Sequence, residues 1–155
     1  MANTIQVNVR VEGLDELLKK MDKVKGGEFV KPALKVGGER LRDQAGKYPP
    51  SGDWNNPAEL RWYERGYGPK WRTASGEIKG KKTSENLRKK WYVKPDKDSV
   101  LVGNNASYAL YVHGEQQPKF HKDHGWKKLL ETAVEQADEI LKDIEAAFLQ
   151  MWDRA

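Results

Sequence analysis

Apolar and polar residues alternate at the start of the chain. Ile5, Val7, Val9 and Val11 are separated by Gln6, Asn8 and Arg10, the period-two pattern of a strand with one buried face. Their β-branched side chains suit a pleated surface. Gly13 ends the strand, and the period then lengthens. Leu14, Leu17, Leu18 and Met21 recur at helical spacing, with Asp15 and Glu16 near the positive end of the helix dipole. Gly26-Gly27 is expected to break or kink this helix. Pro32 fits the first turn of a restarted helix, where its missing N–H costs nothing. Val30, Leu34, Leu41 and Ala45 lie along one face of that second piece. Gly37-Gly38 in its middle either weakens it or lets another backbone come close. The helix is expected to stop before Tyr48-Pro49-Pro50.

A second strand signal lies between Thr83 and Gly114. Trp91 and Val93 alternate with Tyr92 and Lys94, Pro95-Asp96-Lys97-Asp98 supplies turn chemistry, and Val100-Leu101-Val102 returns as a partner strand. Gly103-Asn104-Asn105 stops it. Residues 4–11, 90–94 and 99–103 together predict a small sheet. Tyr108, Tyr111 and Val112 give a short apolar turn ending at His113-Gly114, and the polar stretch from Glu115 to His124 reads as irregular. A final helix is predicted over 125–152, capped by Asp123 or Gly125. Trp126, Leu130, Ala133, Ala137, Ile140, Ile144, Ala147 and Met151 form its stripe, widened by Leu129, Leu141 and Phe148. As one piece it would be about 40 Å long.

Residues 49–82 hold no period for more than a few positions. Pro, Gly, Asn and Ser are frequent, and Trp54, Trp62, Tyr63, Tyr67 and Trp71 are scattered among Arg61, Arg65, Lys70, Arg72, Lys79, Lys81 and Lys82. The segment reads as a long aromatic and basic loop or insertion, and a loop of ~30 residues is commonly functional. Its aromatics imply packing on the protein itself or on a partner. The fold class is therefore α+β: a small antiparallel-rich sheet, a kinked N-terminal helical segment, a long C-terminal helix and this loop.

Composition narrows the possibilities. A length of 155 residues suits a single domain, 1–155. Six tryptophans argue against disorder, and the absence of cysteine excludes disulfides and thiolate metal sites. There is no charged-then-apolar leader and no apolar run near the ~20 residues of a membrane helix, so a soluble protein made in the cytosol, with no membrane partner, is expected. The net charge of +5 is unevenly spread. Residues 51–100 carry 12 basic and 7 acidic side chains, while residues 101–155 carry 6 and 9. Such a basic middle and acidic tail fit a solvated surface, a nucleic acid, or the acidic face of a second copy.

Candidate chemistry is thin. His121 and His124, with Asp123 between them, form a weak metal pattern without a third ligand at a recognisable spacing. His124 and Asp123 fit better as groups that orient the final helix. Ser51, Ser75, Ser84, Ser99 and Ser107 have no nucleophile-elbow context. Arg65-Gly66-Tyr67-Gly68-Pro69-Lys70 lacks the spacing and preceding strand of a phosphate-binding loop. No catalytic residue, cofactor site or metal site is assigned. Between Arg61 and Lys94 there are 11 basic and 3 acidic residues, interleaved with Trp62, Tyr63, Tyr67, Trp71, Trp91 and Tyr92. Stacking aromatics and phosphate-tracking cations suit single-stranded nucleic acid. Trp, Tyr and Arg equally dominate protein interfaces. Both readings stand on composition.

The order of elements and two motifs resemble the tail-component family of siphophages. Thr83-Ser84-Glu85-Asn86-Leu87-Arg88 is similar to the family's T-G-x-L-R-x-S-like entry into the central strands, with Glu85 in place of Gly. Residues 102–114, VGNNASYALYVHG, are similar to its V-G-x-x-x-x-Y-A-x-Y-V-E-x-G-T, with His113 replacing the acid. Val11-Glu12-Gly13-Leu14-Asp15-Glu16-Leu17 looks like its first strand–helix junction. The resemblance implies a non-enzymatic neck or tail-completion component in the virion, with an α+β fold. It also implies a hexameric ring that contacts other neck or tail proteins and passes or touches DNA. On that reading Trp62, Tyr63, Arg65, Tyr67, Trp71, Lys81 and Lys82 are the candidate assembly contacts. The alternative is a nucleic-acid-binding module using the Arg61–Lys94 surface.

Overall fold

The computed structural model describes residues 4–14, 16, 23–47, 49, 58, 60–64, 68–80 and 87–154, with backbone alone at 23–27, 62–64 and 68–69. The expected sheet is present. Strand β1 (Ile5–Arg10) and a pair to be called β5 (Trp91–Pro95) and β6 (Ser99–Asn104) form an antiparallel sheet in the order β1-β6-β5. Strand β1 buries Ile5 and half-buries Val7 and Val9, while Gln6, Asn8 and Arg10 point outward. Central β6 is buried at Val100 and Val102 on one side and at Ser99 and Gly103 on the other. Gly103 is required there. A Cβ would stand 2.4 Å from the Tyr92 hydroxyl, whose ring crosses over Gly103 so that the hydroxyl donates to Gln6 at 3.4 Å.

The inner face is covered by helix α1 (Lys23–Ala45) and, against β1, by a later helix. Buried positions along α1 are Val30, Ala33, Leu34, Gly37, Gly38, Leu41 and Ala45, a stripe at i, i+3, i+4 and i+7 spacing. Two expectations fail here. The helix runs unbroken through Gly26-Gly27, and Pro32 sits inside it rather than in the first turn of a new one. Pro32 and Glu28 are both on the exposed side, so the Glu28 carbonyl that loses its partner faces water. Residues 17, 18 and 21 of the expected opening helix lie outside the described residues.

Gly37 and Gly38 look in different directions. A Cβ at 37 would meet Ile144 Cγ1 at 2.6 Å, and one at 38 would meet Val100 Cγ2 at 2.5 Å and Val93 Cγ1 at 2.7 Å. The pair lets α1 lie tight against the sheet and against the C-terminal helix at the same level.

Residues 61–80 correct the loop reading. Arg61–Glu64 (β2), Gly68–Arg72 (β3) and Ile78–Gly80 (β4) form a second antiparallel sheet in the order β2-β3-β4. Strands of three to five residues are too short for alternation to stand out from chance. The turn is chemically explicit. Gly76 has φ +82°, its N–H donates to the Thr73 carbonyl at 2.9 Å, and the Glu77 N–H donates to the Thr73 hydroxyl at 3.1 Å.

The C-terminal third also differs in detail. After helix α2 (Ala109–His113) comes a further helix, α3 (Lys119–Asp123), in the stretch read as irregular. Gly125, at φ +86°, turns the chain, and 126–128 lead without regular structure to the next helix. Helix α4 (Leu129–Glu135) is capped at Lys128, whose N–H donates to the Glu131 carboxylate at 3.0 Å, so neither Asp123 nor Gly125 is the cap. Gln136 interrupts the run and α5 (Ala137–Arg154) continues. At 18 residues α5 is about 27 Å long. Ile140 and Ile144 are buried against α1, but Leu130 is 56% exposed. At the far end of the α1–α5 crossing Phe29, Phe148 and Trp152 meet with ring centroids 6.3 Å apart.

Candidate assembly surface

The register of the second sheet sets the candidate side chains in rows. Arg61 pairs with Trp71 and Trp71 with Lys79. Leu60 continues the register, its carbonyl accepting the Arg72 N–H at 2.9 Å, and Arg72 pairs with Ile78. Directly opposed residues share a face of a sheet. One face therefore carries Arg61, Trp71 and Lys79. The other carries Leu60, Arg72, Ile78 and Lys70. Leu60 is 71% exposed, Ile78 51% and Trp71 37%. Large apolar residues thus stand in solvent between cations, an arrangement that fits a contact surface better than a core.

Of the candidate contacts, Trp71 is on β3 and half out of the protein. Trp62 and Tyr63 occupy β2 positions opposite Lys70 and Pro69. Arg65, Tyr67, Lys81 and Lys82 lie outside the described residues. Leu60 and Ile78 escaped notice in the sequence because each is a lone apolar residue. The register was the missing information.

The meander returns to the body through a buried clasp. Asn104 is fully buried. Its Nδ2 donates to the Leu87 carbonyl at 2.6 Å, and its Oδ1 accepts the Ala106 N–H at 2.8 Å. The Leu87 N–H in turn donates to the Tyr108 hydroxyl at 3.1 Å. Arg88, Lys89 and Lys90 follow in a short 3-10 turn, all exposed and without an ion pair among the described residues.

The histidines have structural roles. Buried His113 lies edge-on between Trp91 and Trp126, with centroids 5.3 and 5.5 Å away, and its Nδ1 lies 2.8 Å from the Lys127 carbonyl. Burial pushes its pKa down, against the backbone hydrogen bond and with help from nearby His121. His121 Nδ1 bonds the Tyr111 carbonyl and His124 Nδ1 the Phe120 carbonyl. Asp123 pairs with Lys119, so His124 closes α3 and Asp123 does not orient the final helix. Among the described residues no three His, Asp or Glu side chains gather as metal ligands. No described helix is long and apolar enough to cross a membrane.

The family model of HK97-gp10-like proteins, described as "Bacteriophage HK97-gp10, putative tail-component", matches residues 14–113. That is well over half of the chain. The protein belongs to this phage tail-component family. The match takes in α1, the meander, β5, β6 and α2, and ends at His113, before α3–α5. No curated protein and no solved structure gives a significant match. Membership makes this a bacteriophage structural protein, a part of the virion tail that works in contact with other tail proteins.

Proposed function

We propose that the protein completes or joins the tail at the head–tail junction, assembling as a ring whose subunits meet through the β2–β4 meander. The observation that carries this is the row of exposed Leu60 and Ile78 with half-buried Arg72 between them, backed by Trp71 on the other face, in a member of a tail-component family. A surface of this kind, with large apolar side chains standing between cations, suits protein contact. The first test is the solution mass by light scattering. The resemblance noted above implies six copies. A multiple of the 17.8 kDa chain supports self-assembly. A chain that stays monomeric alone and in the presence of partner tail proteins sinks the ring.

A second reading draws on one specific feature. The exposed Arg88-Lys89-Lys90 turn, without an ion pair among the described residues, offers phosphate contacts. A ring lumen lined this way would tolerate a moving DNA backbone. Affinity for DNA that falls steeply between low and moderate salt supports it, and no binding at low salt removes it.

A further inference from the structure

Between the end of β1 and the exposed side of α5 lies an open groove of about 720 Å³, within the range that receives a compact ligand or a few side chains. Its floor is apolar: Val30, Leu34, Ile140 and Ile144 come from the core. Leu141 and Leu149 of α5 rise from its side, 41% and 57% exposed. Its rim holds Arg10 against three acids, Glu12, Asp138 and Glu145. None of these three makes an ion pair among the described residues. Several other acids of the C-terminal third are engaged, Asp143 by Arg40, Glu135 by Lys127, Glu139 by Lys142 and Glu115 by Lys128.

We infer that this groove receives the meander of a second copy of the chain. The meander face described above is its complement: Leu60 and Ile78 stand on either side of Arg72, with Lys70 beside them. Arg72 and Lys70 are the cations of that face, against the acidic rim. Aliphatic tips enter the apolar floor, and Arg72 and Lys70 meet Asp138 and Glu145. Apolar contact supplies the affinity and the paired charges fix the register. Donor and acceptor are different surfaces of one chain, so the contact is head-to-tail, the kind that closes into a ring when the rotation permits. This rests on the self-assembly reading and names the acceptor that it lacks. The largest single share of the acceptor is built by α5, outside the family match.

The chain has no cysteine, so contacts can be mapped with single thiols at exposed sites. Ile78→Cys protein is mixed with Leu149→Cys protein and treated with a short bismaleimide. The control partner is Lys122→Cys, exposed on α3 away from the groove. At least tenfold more two-chain product from the 78–149 mixture than from the 78–122 mixture is expected. Arg72→Glu should abolish the excess, and combining it with Glu145→Arg on the acceptor should restore most of it. Equal yields from the two mixtures overturn the groove. Light scattering on the same samples separates the two failures. Oligomers without 78–149 enrichment remove the groove alone, whereas monomers without enrichment remove self-assembly with it.

Discussion

Arg40 holds Asp143 across the α1–α5 crossing, donating from Nε to one carboxylate oxygen and from a terminal nitrogen to the other. Both side chains are about a third exposed. The hydrogen bond, ahead of the charge itself, holds the Asp143 pKa below its usual 3.8, and Arg40 is raised by the same partner. A depressed carboxylate stabilises the fold above its unfolded value and loses that contribution as pH falls through the folded one. Asp143→Asn should therefore lower the urea midpoint at pH 7, with the gap to the native protein closing below about pH 3.8. An unchanged midpoint at neutral pH would show that the pair contributes nothing measurable.

The two glycines of α1 make a packing prediction. Ala is a better helix former than Gly by about 1 kcal/mol, which by itself would stabilise α1. At Gly38 the new methyl would sit 2.5 Å from Val100 Cγ2 and 2.7 Å from Val93 Cγ1, and overpacking of this kind costs about 1–3 kcal/mol. The steric term wins, because Val93 and Val100 are on adjacent strands that cannot part independently. Gly38→Ala should be destabilised by about 1–2 kcal/mol in chemical denaturation, and Gly38→Val by considerably more. A stabilised Gly38→Ala would mean that the helix–sheet spacing is looser than described.

Asn104 should be among the costliest single polar positions. Asn104→Ala leaves the Leu87 carbonyl and the Ala106 N–H without their partners. Each buried unmet group costs about 1–3 kcal/mol, so a loss of about 2–4 kcal/mol is expected. Asn104→Asp keeps the bond to Ala106 but cannot donate to Leu87. Hydrogen exchange at Ala106, whose N–H donates to Asn104 Oδ1, would separate the two, with protection there lost in Asn104→Ala and kept in Asn104→Asp.

His113 couples stability to pH in the opposite direction from a salt-bridged histidine. Burial first, and His121 less, lower its pKa, so the unfolded chain takes up its proton before the folded one does. Stability should then fall as pH drops below the unfolded value of about 6.5. His113→Gln should flatten the dependence between pH 7 and pH 5, read from midpoints across that range. The same slope in both proteins would place the titrating group elsewhere.

Trp62→Ala with Trp71→Ala should leave circular dichroism and the unfolding midpoint near native, while tail or particle assembly fails in a complementation assay. Trp71 is 37% exposed on β3 and lies outside the hydrophobic core cluster, so its loss should remove contact area more than core. Outright unfolding of the double variant would make these residues core.

Regular elements with a buried face were legible in the sequence. The β1 alternation, the Trp91–Val102 hairpin and the Val30/Leu34/Leu41/Ala45 face are where they were expected. Periodicity registers burial on one side, and these elements are buried on one side. It was silent over 61–80, where short strands carry apolar residues on both faces. It also overran Gln136, because the apolar stripe continues through a one-residue break that barely changes the spacing. Local rules for glycine and proline misjudged α1. Packing of its buried face on the sheet and α5 outweighs propensity at Gly26, Gly27 and Pro32. The acceptor groove was unreadable, since it joins the end of β1 to α5 across most of the chain.

The pairing of Ile5 with Asn104 and of Arg10 with Ser99 bears on how the protein is made. Strand β1 leaves the ribosome about 90 residues ahead of its partner β6, and at ~5–20 residues per second it waits roughly 5–20 s. During that wait Ile5, Val7 and Val9 remain an unpaired, alternating strand, and β5 has no neighbour either until β6 emerges. Long-range pairing of this sort slows folding. When many copies are translated side by side, the early strand of one nascent chain can add to the sheet of another. Expression at lower temperature, or with a chaperone that covers short extended segments, should raise the yield of correctly closed subunits.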